Sequence, residues 1–212
     1  LDQGQHDGDR DVLAVGSAGM LVHRDVWDSL GGFDPALPFF REDVDLCWRA
    51  RLAGHRVLVA TDAVVHHREA AAHARRDVDA GGPPHPERPH RIDRASAVHL
   101  MRAHAHGVRG PLVTFRQLVG SLVRAVFLLL GKDADAARDE WGAFRDSVRD
   151  RSGLKASRAK VAEAAAAAGA VPDRDVRHLL APRGAQARHA FDRVADLVAG
   201  REQTDVTRSV LD

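Results

Sequence analysis

Cysteine is almost absent: Cys47 stands alone in 212 residues. One thiol excludes an intrachain disulfide and any cysteine-based zinc site. Its place beside Trp48 in a helical stretch suits a small buried hydrophobe, and a reducing compartment fits it. Lysine is scarce, found only at Lys132, Lys155 and Lys160. The other cations are arginines, which with the heavy use of alanine reads as base-composition bias, not as a phosphate-binding signature. An excess of charge of one sign is also lacking. The 31 basic and 30 acidic residues leave a net +1, which argues against a dedicated nucleic-acid surface. There is no initiating Met, and Leu1-Asp2-Gln3-Gly4-Gln5 shows neither the basic start nor the apolar run of a signal peptide. The expectation is a piece of a longer protein, cut inside a domain.

What is present suffices for a packed core, with 44% hydrophobic residues. Residues 1–76 read as mixed α/β. Val12-Leu13-Ala14-Val15 and Met20-Leu21-Val22 are strand candidates around the small-residue turn Gly16-Ser17-Ala18-Gly19, and Asp7-Gly8-Asp9 reads as a turn. Arg24 to Leu30 suits a short helix stopped by Gly31-Gly32. The segment from Glu42 to Ala53 carries acids first and arginines last, an order that complements the helix dipole, and Gly54 ends it. Arg56 to Ala60 and Ala63 to His66 read as strands. Residues 77–90, with Gly81-Gly82-Pro83-Pro84, form a linker. Residues 91–200 are helical in pattern, in six segments at about 91–106, 111–131, 133–150, 154–169, 173–181 and 185–200. Residues 201–212 are a polar tail.

The segment from Pro111 to Gly131 is the most apolar of the chain. Arg116 and Arg124 near its centre argue against a membrane-spanning helix. Two readings stand: a helix lying in the plane of an anionic bilayer, or a core helix of a helical subdomain.

One run concentrates chemistry: Gly31-Gly32-Phe33-Asp34-Pro35, then Glu42-Asp43-Val44-Asp45-Leu46-Cys47-Trp48-Arg49. Acids at a helix start have an ordinary structural role in complementing the dipole. The functional reading is a metal-linked carboxylate or a general base, the latter needed wherever a hydroxyl loses its proton as it attacks an electrophile. Adjacent carboxylates raise one another's pKa, which tunes one of them for that task. Further on, Val64-Val65-His66-His67 is either a pair of surface histidines or part of a metal site. None of the remaining histidines shows HExxH spacing, so a zinc hydrolase is a weak rival.

Ser17 to Val22, Trp27 to Pro35 and Phe40 to His55, taken in that order, resemble the second half of a family-two, GT-A-fold inverting glycosyltransferase domain. The nearest resemblance is to rhamnosyl- and galactofuranosyltransferase-like members of bacterial cell-surface polysaccharide synthesis. The resemblance implies an α/β fold, a partial GT-A Rossmann-like domain, followed by an α-helical extension. It implies Asp43 as the base, with Glu42 beside it, and Gly32, Phe33, Asp34, Trp48 and Arg49 around the substrate. Trp48 more readily packs, and Arg49 can pair with the acids. The resemblance also makes His67, with its neighbour His66, a ligand to a divalent metal, Mg²⁺ or Mn²⁺, that holds the diphosphate. The implied partners are a nucleotide-sugar donor and a cell-surface glycan or lipid-linked acceptor, with peripheral membrane contact and no nucleic acid. The implied location is the cytoplasmic side of the plasma membrane. The family's nucleotide-binding half, with its Asp-x-Asp metal motif, is not among these 212 residues, so independent catalysis by this piece is not expected. The rival reading is a non-catalytic fragment whose helical region docks on a membrane or a partner.

Overall fold

A computed structural model describes residues 10–65 and 88–180. The element order is β1 (Arg10–Asp11), a 3-10 turn at Ser17–Gly19, α1 (Arg24–Leu30), α2 (Glu42–Leu52), β2 (Leu58–Val59), α3 (Pro89–Ala103), α4 (Arg109–Leu130), α5 (Ala134–Arg149), α6 (Arg151–Ala165) and α7 (Asp173–Arg177). One compact unit spans Leu1–Val176, and Arg177–Asp212 form a second. The expected helix at 185–200 and the tail lie outside the described residues, as does most of the expected linker.

The sheet is smaller than expected. β1 and β2 pair antiparallel, with Arg10 opposite Val59 and Asp11 opposite Leu58. The stretches 12–15, 20–22 and 63–65 are not strands. An apolar run becomes a strand only when a neighbour accepts its backbone hydrogen bonds, and the described residues supply one such pair. The fold among the described residues is therefore mostly helical, with a small two-stranded sheet in the expected α/β part. Arg51 of α2 ties the pair down by donating to the carbonyls of Val12 and Val57 and pairing with Asp11 at 2.8 Å. Hydrogen bonds from Arg56 and then Arg51 hold the Asp11 carboxyl at a pKa of about 2.

The helices follow their local signals. Gly31, with φ 67°, closes α1 in the left-handed conformation. Asp133 and Asp150 cap α5 and α6 by accepting amide hydrogens from Ala136 and Gly153. α3 and α4 both pack on α5, and α6 packs on α2 and α3. Leu46, Trp48 and Leu52 of α2 share the core with Val98 and Leu100 of α3 and Val161 of α6. Cys47 is buried as expected, and burial pushes its thiol pKa up.

The C-terminal end of α2 is sealed by the chain that follows α6. The Val171 amide donates to the Leu52 carbonyl at 3.0 Å. Gly54 has φ +89°, and a side chain there would collide with the Gly169 carbonyl. Gly54→Ala is expected to cost about 2–4 kcal/mol, from left-handed strain plus overpacking. Urea denaturation reads this directly, and an unchanged midpoint would reject the contact.

Candidate active site

The site is built on the first turn of α2. Arg41 precedes it with φ 71°, a left-handed conformation uncommon for a side-chain-bearing residue. Its guanidinium is held by a bidentate pair with Asp93 of α3, at 2.7 and 3.0 Å. The turn then projects Glu42 and Asp43 while Asp45 points into the core.

Asp43 is half-buried. Its Oδ2 accepts the amide hydrogen of Ser17 at 3.0 Å, and its Oδ1 accepts that of Val44 at 2.7 Å. The small-residue turn at 16–19 thus meets the helix start, and a Cβ added at Gly16 would lie 4.0 Å from Oδ2. A carboxylate has about four lone-pair positions, so two amides leave room for a hydroxyl on each oxygen.

Two stretches separated by more than twenty residues, the small-residue turn and the acid-led helix, therefore build one carboxylate site. Residues 1–77 are a glycosyltransferase family 2-like region. They match the family described as Glycosyltransferase like family 2. No curated protein and no solved structure matches the chain.

Within this region the three acids have separate fates. Asp45 is a structural residue, which corrects the picture of one acid/base cluster. It accepts from Arg49 Nε at 2.7 Å and pairs with His104 Nε2 of the segment after α3 at 2.9 Å. Burial alone would raise its pKa, but the bonds from His104 and Arg49 outweigh burial and hold it below the ordinary value.

Glu42 is different. Its Oε2 is buried with no hydrogen-bond partner, and burial, with a smaller push from the charge of Asp43, raises its pKa against the hydrogen bond of its own amide. A carboxyl with a raised folded-state pKa binds its proton more tightly folded than unfolded. Its contribution then worsens as pH rises above the ordinary glutamate value. Glu42→Gln is expected to stabilise the fold near neutral pH, with the gain fading in the acid range. Urea midpoints at both pH values measure it, and no gain near neutrality would sink the idea.

The Gly31-Gly32-Phe33-Asp34 loop is locked from within. Gly32 has φ 64°, and an added Cβ would lie 2.9 Å from the Trp27 ring. Phe33 packs edge-on against Trp27, at 4.9 Å and 77°, and keeps a solvent face. Asp34 is buried, its Oδ1 accepting from the Ala36 amide at 3.0 Å. Trp48 and Arg49 are core residues at 1% and 0% exposure, which corrects the expectation that they contact substrate. Trp48 stacks on His104 at 4.1 Å. Arg49 donates to the carbonyls of Leu30 and Gly32 at 2.7 and 2.8 Å, so it shapes the loop from beneath.

Sequence reasoning missed the residues that brace this region from the helical part: Asp93, His104 and Lys160. The Lys160 ammonium reaches the carbonyls of Gly31 and Phe33, both at 3.4 Å. Nothing local marks them, because their partners lie far away in sequence. His66 and His67 lie outside the described residues, as does Asp7-Gly8-Asp9. Among the described residues no group of three His, Cys, Asp or Glu side chains converges to hold a metal.

Proposed function

We propose that this chain contributes the acceptor-activating half of an inverting glycosyltransferase. Asp43 is the general base. It takes the proton of an acceptor hydroxyl as that oxygen bonds to the anomeric carbon of a nucleotide-activated sugar. The bond to the diphosphate breaks from the opposite face, and the configuration inverts. A base must lie within hydrogen-bond reach of its hydroxyl. The observation that supports this role is the seating of Asp43: half-buried, anchored by the Ser17 and Val44 amides, with lone pairs to spare.

Glu42, beside it, positions the acceptor, and Phe33 offers an apolar face to a sugar ring. The donor is a nucleotide sugar, and the resemblance favours rhamnosyl- or galactofuranosyl-type chemistry. The acceptor is a cell-surface glycan or a lipid-linked glycan at the cytoplasmic side of the plasma membrane. A divalent metal, Mg²⁺ or Mn²⁺, supplies charge neutralisation on the leaving diphosphate when bound. The described residues do not form such a site themselves, so the expectation of a metal rests on His66 and His67.

The test is a transfer assay on the protein with its nucleotide-binding half present, using a panel of nucleotide sugars and Mg²⁺ or Mn²⁺. The product's anomeric configuration is read by NMR. An inverted product supports the reading; a retained configuration, or donor hydrolysis alone, rejects it.

A further inference from the structure

α4 is inside-out for a helix of a water-soluble fold. Leu112, Phe115, Val119, Leu122, Val126 and Leu130 recur at helical spacing along one stripe. All six are exposed, Phe115 by 62% and Leu130 by 74%. The opposite face is polar and turned inward. Arg94 of α3 donates to Glu140 of α5 at 2.9 Å and to Gln117 of α4 at 3.1 Å, and it reaches Ser121 at 3.4 Å. Arg124 also donates to Glu140, at 2.9 Å. Only Gly110 and Ser121 of the whole helix are buried. Among the described residues the apolar stripe of this segment is therefore not packed into the core.

The surrounding charge selects what could cover this stripe. From Arg94 to Lys132 the sequence holds no acid and six cations, Arg94, Arg102, Arg109, Arg116, Arg124 and Lys132, of which Arg94 and Arg124 pair with Glu140 and Arg109 with Asp173. Arg116 and Lys132 are exposed. At one edge of α4 a groove of about 480 Å³ has apolar walls from Phe115, Leu118, Phe144 and Leu154, with Arg102 and Arg158 set among them. Arg158 donates to the backbone carbonyls of Arg102 and Ala105, at 3.1 and 3.4 Å. Arg102 donates to the Ser147 carbonyl and to Thr114. Neither forms an ion pair with a carboxylate among the described residues.

We propose that α4 is an in-plane docking helix for an anionic lipid bilayer. Its apolar stripe enters the boundary between headgroups and acyl chains, while Arg116, Lys132 and the Arg102–Arg158 groove face lipid phosphates. At 22 residues α4 is long and apolar enough to span a bilayer by length and composition. Spanning would carry the Arg94–Glu140–Arg124 network and the charged helix α5 into hydrocarbon, which charged groups resist. Lying in plane keeps that network on the aqueous side. A second copy of the chain is the poorer occupant, because α4 has no acid to receive its partner's Arg116. The proposal does not depend on the transfer reaction.

The test uses the whole 212-residue chain and sedimentation with vesicles of equimolar phosphatidylglycerol and phosphatidylcholine, against phosphatidylcholine alone. Binding is expected to the anionic vesicles and to weaken with salt. Leu122→Asp with Val126→Asp should abolish it with unchanged circular dichroism, since both side chains are already exposed. Arg116→Glu should weaken it at least about fivefold. No binding by the folded wild type, or equal binding by the double aspartate variant, overturns the proposal. So does a dimer in lipid-free light scattering that the double variant converts to monomer while vesicles bind neither form.

Discussion

Asp43→Asn is expected to cut transfer roughly 10²–10⁴-fold while donor affinity stays near wild type. Asparagine keeps the shape, and its side-chain oxygen can still accept the Ser17 amide, so the turn at 16–19 should hold. It cannot take a proton. The loss should therefore fall on kcat, the sign of an interaction used only in the transition state. A parallel Glu42→Gln variant separates the two acids. If Glu42 only positions the acceptor, its change acts mainly on the acceptor's KM. Turnover retained in Asp43→Asn and lost in Glu42→Gln would transfer the base role to Glu42, whose raised pKa suits a proton carrier.

The second large effect concerns Arg49. Arg49→Met should destabilise the fold by about 3–5 kcal/mol, the usual result of removing one member of a buried pair. A typical domain has only about 5–15 kcal/mol in total. Three acceptors lose a donor at once: Asp45 Oδ2 and the carbonyls of Leu30 and Gly32. Lysine should not rescue, because one ammonium cannot reproduce a planar fork aimed at three oxygens. The pH dependence carries a sign. Asp45 has a folded-state pKa below its unfolded value. Its contribution is present above the ordinary aspartate range and is lost as pH falls through the folded value. The gap between wild type and Arg49→Met should therefore narrow in strong acid. Denaturant midpoints across pH measure this, and a cost under about 1 kcal/mol near neutrality would show that the buried fork is dispensable.

Helices were legible where glycine and capping residues mark them. α1 lies at Arg24–Leu30 as expected, and α2 ends one residue early at Leu52. Strands were legible only in part: Leu58–Val59 falls within the expected 56–60, but an apolar run such as Met20-Leu21-Val22 records hydrophobicity without recording a partner. The candidate site was half legible. Asp43 and the Gly31–Asp34 loop sit in one continuous run. The partners that decide the roles of Asp45 and of the loop are His104 and Lys160, 59 residues and more than 120 residues away in sequence. Periodicity reports which face of α4 is apolar, but not which way that face turns. Only the positions of Arg94 and Glu140 show that it turns outward.

The bracing of the acid-led helix by distant residues bears on inheritance. Asp93, His104 and Lys160 reach back across residue 77, where the family likeness ends. A recombination event at that border would separate Asp45 from its histidine and the glycine loop from its lysine. The helical part is thus no freely exchangeable cassette, and changes in the two segments should be accepted together or not at all.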